Sequence, residues 1–353
     1  MKVIIVAPSL NSKITLGGIS AVASFIVDNN HDVDYIHFEQ GKRDAEKGGF
    51  HRIDNLISIF KKWRSIINKT PEAVIHYNLP LSPAAIIRDY AFMKFAHKHG
   101  NKMVVHVHGG LYMNTENIPC LIKWLLKDIF SWNIPFIVLS DRERDVLKNR
   151  YGTSIVHVLP NCVEIDETYC KSYNNEILTL GYIGRITTNK GMRELLEVCK
   201  ILKERHISFK LAIAGAEDAT THFIQSFKEL LVDSFKYVGI VSGEEKIEFL
   251  KSLDIFILPS YFEGLPMSLL ECMSYGVVPI STRVGSIPEL IKDNANGFLI
   301  ELKNAESIVD KVLSLNIDRL KMKQIGICAR KTIIDNFNPQ VYIDSLNQIY
   351  GTL

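Results

Sequence analysis

Three junctions in the sequence place charged or flexible residues where a short apolar run gives way to a helical pattern, and each has the makings of an anion site. The first is Gly184-Arg185-Ile-Thr-Thr-Asn-Lys190-Gly191, ahead of a helix beginning Met-Arg-Glu-Leu-Leu. A helix N-terminus offers unpaired N–H groups and the positive end of its dipole, and two nearby cations can clamp a diphosphate. The plain alternative is two solvated surface cations. The second is Pro259-Ser-Tyr-Phe-Glu263-Gly-Leu-Pro266-Met-Ser-Leu-Leu-Glu271. Pro266 starts a helix and has no N–H to lose, so Leu265, Met267 and Ser268 are expected to present N–H groups to a ligand. Glu263 and Glu271 need not share a face and could hold two parts of one ligand; alternatively Glu263 complements the helix dipole and Glu271 is a surface carboxylate. The third is Gly17-Gly18, before an apolar helix, where backbone could approach a ligand closely or simply turn. His106-Val-His108-Gly-Gly ends an apolar run, and its two histidines share a strand face. The usual nucleotide fingerprints are missing: no G-x-G-x-x-G follows a strand, and Gly41-Lys42 has Ile36 where a Walker A loop needs glycine.

Such residues need rigid elements to hold them. Runs rich in Val and Ile stand at 2–7, 33–38, 73–77, 103–107, 135–139 and 155–159, with helical patterns at 19–29, 52–67, 82–98, 119–131 and 141–150. A polar stretch, 161–175, reads as a linker. The alternation restarts with runs at 177–183, 209–214, 235–238, 254–258, 277–281 and 298–300, and helices at 190–204, 220–232, 243–252, 266–275, 286–292, 304–315 and 318–335. Continuous apolar strands separated by helices predict parallel sheets covered on both faces. The expected fold class is α/β, with two Rossmann-like doubly wound domains, 1–165 and 166–338, facing across a cleft at the carboxyl ends of their strands. An amphipathic segment, 339–353, opens with Pro339 and is expected to pack back toward the first domain.

A chain of 353 residues can build two cores. Its 41 Lys+Arg against 39 Asp+Glu, a formal charge of +2, exclude a nucleic-acid binder that works by blanket phosphate neutralisation. The charge is uneven: residues 1–165 carry 20 basic and 15 acidic side chains, so any anionic surface is met by the first half. Phe60-Lys-Lys-Trp63-Arg-Ser-Ile-Ile67 with Lys69, and Leu121-Ile-Lys123-Trp124-Leu-Leu-Lys127-Asp-Ile-Phe-Ser-Trp132, interleave basic residues with Trp and aliphatics. They could lie on an anionic bilayer, or pack the first sheet while their lysines snorkel. The opening apolar run is too short for a signal-peptide core and reads as a buried strand. No run reaches the ~18 apolar residues of a membrane span, so a cytoplasmic protein, peripheral at the inner face of the membrane, is expected. Six cysteines without a C-x-x-C pair predict reduced thiols and no zinc site or disulfide framework.

Taken together, these junctions resemble the retaining GT-B glycosyltransferases of family 4, the group 1 glycosyl transferases. The most specific match is the family's pair of glutamates with seven residues between them, here Glu263 and Glu271 within FEGLPMSLLECMSYGVVPISTRVGSIPELI, followed by NGFLI. GYIGRITTNKGMRELLE, KLAIAG and YVGIVSGEEKIEFLKSLDIFILPSYFEGLP continue it; GGIS, HVHGG and LPNCVE extend it more thinly into the first half. The resemblance implies that Arg185 and Lys190 neutralise the donor diphosphate, Glu263 binds hydroxyls of the transferred sugar, and Glu271 grips the ribose. It implies that N–H groups at Leu265, Met267 and Ser268 touch sugar and phosphate, that His108 stands at the reacting sugar, and that Gly17 and Gly18 belong to a loop closing over the donor. Two departures stand out: Pro160-Asn161-Cys162 replaces Pro-Asn-Gly, and Ala214-Gly215-Ala216-Glu217 replaces Ala-Gly-x-Gly.

The implied reaction moves a sugar from a UDP- or GDP-sugar to a hydroxyl of a glycan acceptor with retention at the anomeric carbon. The acceptor expected is a lipid-linked oligosaccharide of bacterial surface polysaccharide assembly. Because two cations and a helix end supply the charge, no metal or other cofactor is expected. A sugar-nucleotide epimerase of the same fold, or a non-catalytic partner of another transferase, would share the architecture.

Overall fold

The computed structural model describes residues 1–11, 17–41 and 51–353. The chain divides into two compact units, Met1–Asn161 with Gln340–Leu353, and Cys162–Pro339.

The first unit is built on β1 (Lys2–Ala7), β2 (Asp34–Glu39), β3 (Val74–Leu79), β4 (Met103–Val107), β5 (Phe136–Val138) and β6 (Val156–Val158), in the order β2-β1-β3-β4-β5-β6. All neighbours are parallel. β3 and β4 are buried along their whole lengths, which is why they read as unbroken apolar runs without polar alternation. Helices Gly18–Asn29, His51–Lys69, Pro83–Lys98 and Cys120–Phe130 cross between strands. Trp63 is fully buried between the rings of Phe38 and Tyr77, and its indole N–H donates to the Phe92 carbonyl at 3.1 Å. Trp132 is also buried. Neither indole is available to a bilayer, because the helices over this sheet need large apolar groups beneath them and a buried indole needs an acceptor. The last helix, Pro339–Gly351, sets Tyr342 edge-on to Phe25 at 6.0 Å and Tyr350 against His76.

The second unit carries β7 (Leu178–Ile183), β8 (Phe209–Ala214), β9 (Phe235–Tyr237), β10 (Ile255–Leu258), β11 (Val278–Thr282) and β12 (Phe298–Ile300), in the order β12-β11-β10-β7-β8-β9. All are parallel. Counted within the unit, this is the dinucleotide-fold order, and the winding reverses between β7 and β10, the place where such sheets open to ligand.

Some local expectations shift. The polar stretch 161–175 is strapped to the second unit: Lys171 donates to the carbonyls of Leu253 at 2.6 Å and Lys251 at 3.1 Å, and the Tyr173 hydroxyl donates to that of Gly276. The helix expected at 141–150 is α-helical over Asp141–Val146 and widens into a π-turn over Leu147–Tyr151. A one-turn helix, Leu111–Asn114, follows His108-Gly-Gly, and the helix expected at 286–292 shortens to Ile287–Leu290.

Candidate functional site

The carboxyl ends of β7 and β10 carry the two charged junctions. After β7 the chain makes a tight turn, Thr188–Lys190, and enters helix Met192–Glu204 through Gly191. Gly191 has φ +76°, and a Cβ there would fall 2.2 Å from the Pro259 carbonyl oxygen. Only glycine lets the turn that carries Lys190 close on the loop leaving β10. The Tyr261 N–H, donating to the Asn189 carbonyl at 3.0 Å, ties the same two segments.

This closure brings Lys190 Nζ to 2.5 Å from Glu263 Oε1. Glu263 is 9% exposed and Lys190 26%. The ammonium has three N–H donors and uses one here, so two remain for oxygens of a ligand. The Glu263 backbone is held from behind, where Gly285 (φ +57°) would place a Cβ 2.2 Å from its carbonyl oxygen and the Ser286 N–H donates to Gly264. Beneath lies Tyr182, fully buried, whose hydroxyl donates to the Arg185 carbonyl at 2.7 Å. Burial raises the Tyr182 pKa well above its ordinary value, the Glu263 charge raises it further, and the Arg185 charge opposes them, so both charged groups act on one hydroxyl. The Arg185 side chain itself is exposed and makes no hydrogen bond among the described residues.

Helix Met267–Ser274 starts four residues after Glu263, with Pro266 as its cap. Leu269 and Leu270 return their N–H groups to Pro266, whereas those of Met267 and Ser268 belong to the first turn and have no acceptor within the helix. Leu265 is buried beside them. One face further along, Glu271 is paired at 2.6 Å with Lys246 of helix Gly243–Ser252. The two glutamates thus sit in one loop-and-helix unit, each with its own lysine. Lys246 was not legible in the sequence, because its partner is 25 positions away and nothing in Glu-Glu-Lys246-Ile distinguishes it from a solvated lysine.

The departure at Ala216-Glu217 has a local explanation. Glu217 Oε1 accepts from the Ile224 N–H and the Thr221 hydroxyl, fixing the entry to helix Phe223–Leu231, while Gly215 (φ +130°) would place a Cβ 1.9 Å from the Gly184 carbonyl oxygen. Cys162, in place of the usual glycine, is buried, and burial pushes its thiol up to about 12.

In the first unit, His108 follows β4 and is half-buried, and its Nε2 lies 2.6 Å from Asn78 Oδ1. His106 is fully buried and stacks on it at 4.1 Å. Gly17 caps helix Gly18–Asn29 with φ −77°, and a Cβ on Gly18 would meet nothing within 4 Å. Among the described residues nothing crowds a side chain at Gly18, and the space beside it is open; the preceding Thr15 and Leu16 lie outside the described residues. Asp32-Val-Asp34 is an Asp-x-Asp, a common metal motif, but both carboxylates are exposed at the amino end of β2, opposite the ligand edge. Among the described residues no group of three or more His, Cys, Asp or Glu could hold a metal ion.

Two doubly wound domains in tandem, the second with a charged switch point, define the GT-B class of fold. Residues 172–332 match the family model described as Glycosyl transferases group 1. The chain is 26% identical to the capsular polysaccharide biosynthesis glycosyltransferase CapM of Staphylococcus aureus over 54% of its own length and 50% of the relative's. It is 24% identical to UDP-Gal:alpha-D-GlcNAc-diphosphoundecaprenol alpha-1,3-galactosyltransferase of Escherichia coli over 84% and 78%. The chain spans about half the length or less of the first several curated relatives it matches. Among solved structures, HepE of Anabaena in complex with UDP-glucose superposes with a TM-score of 0.76 at 14% identity, covering 100% of both chains, a likeness of fold.

Proposed function

We propose that the protein is a retaining glycosyltransferase that moves a hexose or N-acetylhexosamine from a nucleoside diphosphate sugar to a hydroxyl of a lipid-linked glycan. The observation that carries this reading is the convergence at the β7/β10 switch point of Lys190, Glu263 and the N-terminus of helix Met267–Ser274, with Arg185 alongside. The names of the relatives, polysaccharide biosynthesis transferases and one acting on a diphosphoundecaprenol-linked sugar, support the acceptor class.

In the proposed reaction the bond from C1 to the diphosphate breaks as the bond from C1 to the acceptor oxygen forms on the same face. The acceptor proton passes to a phosphate oxygen of the departing nucleotide. Negative charge grows on that phosphate, where Arg185, the two unused Lys190 donors and the Met267 and Ser268 N–H groups stabilise it. Glu263 positions sugar hydroxyls and is not assigned as a base; Glu271 holds the ribose and His108 takes a sugar hydroxyl. The charge is met by protein groups, and the proposal includes no divalent metal: activity lost in EDTA and restored by manganese would contradict it.

The acceptor side is proposed to lie at an anionic membrane. With Trp63 and Trp132 in the core, the surface that fits is narrower: Leu121 and Trp124, 57% and 59% exposed, beside exposed Lys123 and Lys127, with Lys61, Lys62 and Arg64 exposed on helix His51–Lys69. No helix among the described residues is long and apolar enough to cross a membrane. Co-sedimentation with phosphatidylglycerol vesicles at low salt, lost in Trp124→Ala, is the expected result; equal pelleting of the variant would refute this surface. The transfer itself is tested by a panel of UDP-, GDP-, ADP- and dTDP-sugars. One nucleotide class is expected to bind and to be released only when acceptor is present. Release of an altered sugar nucleotide without acceptor would establish the epimerase instead.

A further inference from the structure

Beneath His108 the first unit holds a polar network in which the donor and acceptor at the Asn78–His108 contact can be assigned. Asn78, 4% exposed, donates from Nδ2 to the Val6 carbonyl at 3.0 Å. A carbonyl only accepts, so the amide orientation is fixed, and the atom 2.6 Å from His108 Nε2 is Oδ1. Oδ1 only accepts in turn, so Nε2 carries the hydrogen of the neutral ring.

A second chain runs beside it. Asn30 donates to the Tyr35 hydroxyl at 2.9 Å, the Tyr35 and Tyr350 hydroxyls lie 3.4 Å apart, and the Tyr350 hydroxyl lies 2.5 Å from His76 Nδ1. His76 Nε2 lies 3.2 Å from His106 Nδ1, so one of these two rings donates to the other. His106 Nε2 is buried and has no partner among the described residues. Burial lowers the pKa of His76 to about 3; burial and then the charge of His76 lower His108 to about 3 as well. His106 falls well below its ordinary value through burial and its two histidine neighbours. All three rings are neutral near neutral pH.

We propose that Asn78 is a positioning residue that locks His108 as the neutral Nε2–H tautomer, leaving its Nδ1 lone pair as a hydrogen-bond acceptor for a hydroxyl of the transferred sugar. The last step rests on the proposed sugar transfer; the tautomer lock does not. No described residue bonds Nδ1. The chemistry suits a glycosyl transfer: a ring protonated on both nitrogens would oppose the positive charge growing at C1, and the locked tautomer accepts the hydroxyl's hydrogen where the other tautomer would donate to its oxygen. A hydrogen bond of ordinary strength favours the locked form about tenfold.

The test is long-range 1H–15N correlation on protein carrying 15N-histidine, with the His108 signals assigned through His108→Gln. Wild type is expected to show hydrogen on Nε2 and none on Nδ1 from about pH 7 to about pH 5. Asn78→Leu is expected to mix the tautomers, with their ratio falling about tenfold. Asn78→Asp still accepts from Nε2, so it restores the tautomer, and its charge raises the His108 pKa by about a unit or more. Tyr350→Phe alters the His76 and His106 patterns and leaves that of His108. Hydrogen on Nδ1 in wild type, or an unchanged His108 in both folded Asn78 variants, overturns the lock. The sugar step is read separately: the sugar nucleotide selected by the panel shifts the Nδ1 resonance of His108, and a donor that binds without doing so overturns that step alone.

Discussion

Lys190 has one partner in the free protein, Glu263, and a second in the proposed complex, the diphosphate. Removing the ammonium as Lys190→Met strands a carboxylate that is 9% exposed. Breaking a fully buried pair costs about 3–5 kcal/mol; here Lys190 is 26% exposed and water reaches the pair, so we expect about 1–3 kcal/mol of lost stability. Glu263→Gln should recover much of that loss in the double variant, which would fall short of the sum of the singles. Loss of one to two charged hydrogen bonds to phosphate, each about 1.5–3 kcal/mol, weakens binding of the nucleoside diphosphate by at least about tenfold. Glu263→Gln alone faces the sugar and not the diphosphate, so it should change that affinity by no more than about threefold while lowering turnover by at least about tenfold. Calorimetric titration with the nucleoside diphosphate and thermal melts of the four proteins measure all of this. Wild-type affinity in Lys190→Met, or an equal loss in Glu263→Gln, would refute the division of labour.

Other expectations follow from single positions. Glu271→Ala should remove discrimination between the ribonucleotide and its 2′,3′-dideoxy analogue, a preference of at least about tenfold in wild type, measured by competitive binding. Gly191→Ala, at φ +76° and 2.2 Å from a carbonyl oxygen, should cost more than about 2 kcal/mol in denaturant melts, since the clash falls on backbone that cannot swing aside. His76, fully buried, has its pKa depressed to about 3, so the unfolded chain takes up its proton first as pH falls below the ordinary histidine value. Stability is therefore intact above about pH 6.5 and declines toward pH 3, with a slope approaching about 1.4 kcal/mol per unit for this group. His76→Gln should flatten melting temperature against pH in that window, and an unchanged slope would contradict the assignment.

The sheets were legible because strands buried on both faces must be continuous apolar runs: β4, β7 and β10 lie within expected segments, and β3 overlaps its segment and runs two residues past it. Glu263 and Lys190 stood out because Gly191, Pro266 and the strand ends around them mark backbone junctions that local sequence records. What escaped were contacts made at long range. Lys246 finds Glu271 only when two helices pack, and His76 finds Tyr350 across 274 positions. Trp63 and Trp124 have similar basic and aliphatic neighbours in sequence, yet one is fully buried and the other 59% exposed. Helix phase against the sheet decides between them, and composition does not carry that phase.

The proposed transfer with retention is read from a 1H NMR time course with an α-linked sugar nucleotide and a lipid-linked glycan acceptor. Retention gives an α-linked product appearing in step with free nucleoside diphosphate, and no sugar change when acceptor is withheld. A β-linked product, or conversion of the donor sugar without acceptor, would contradict it.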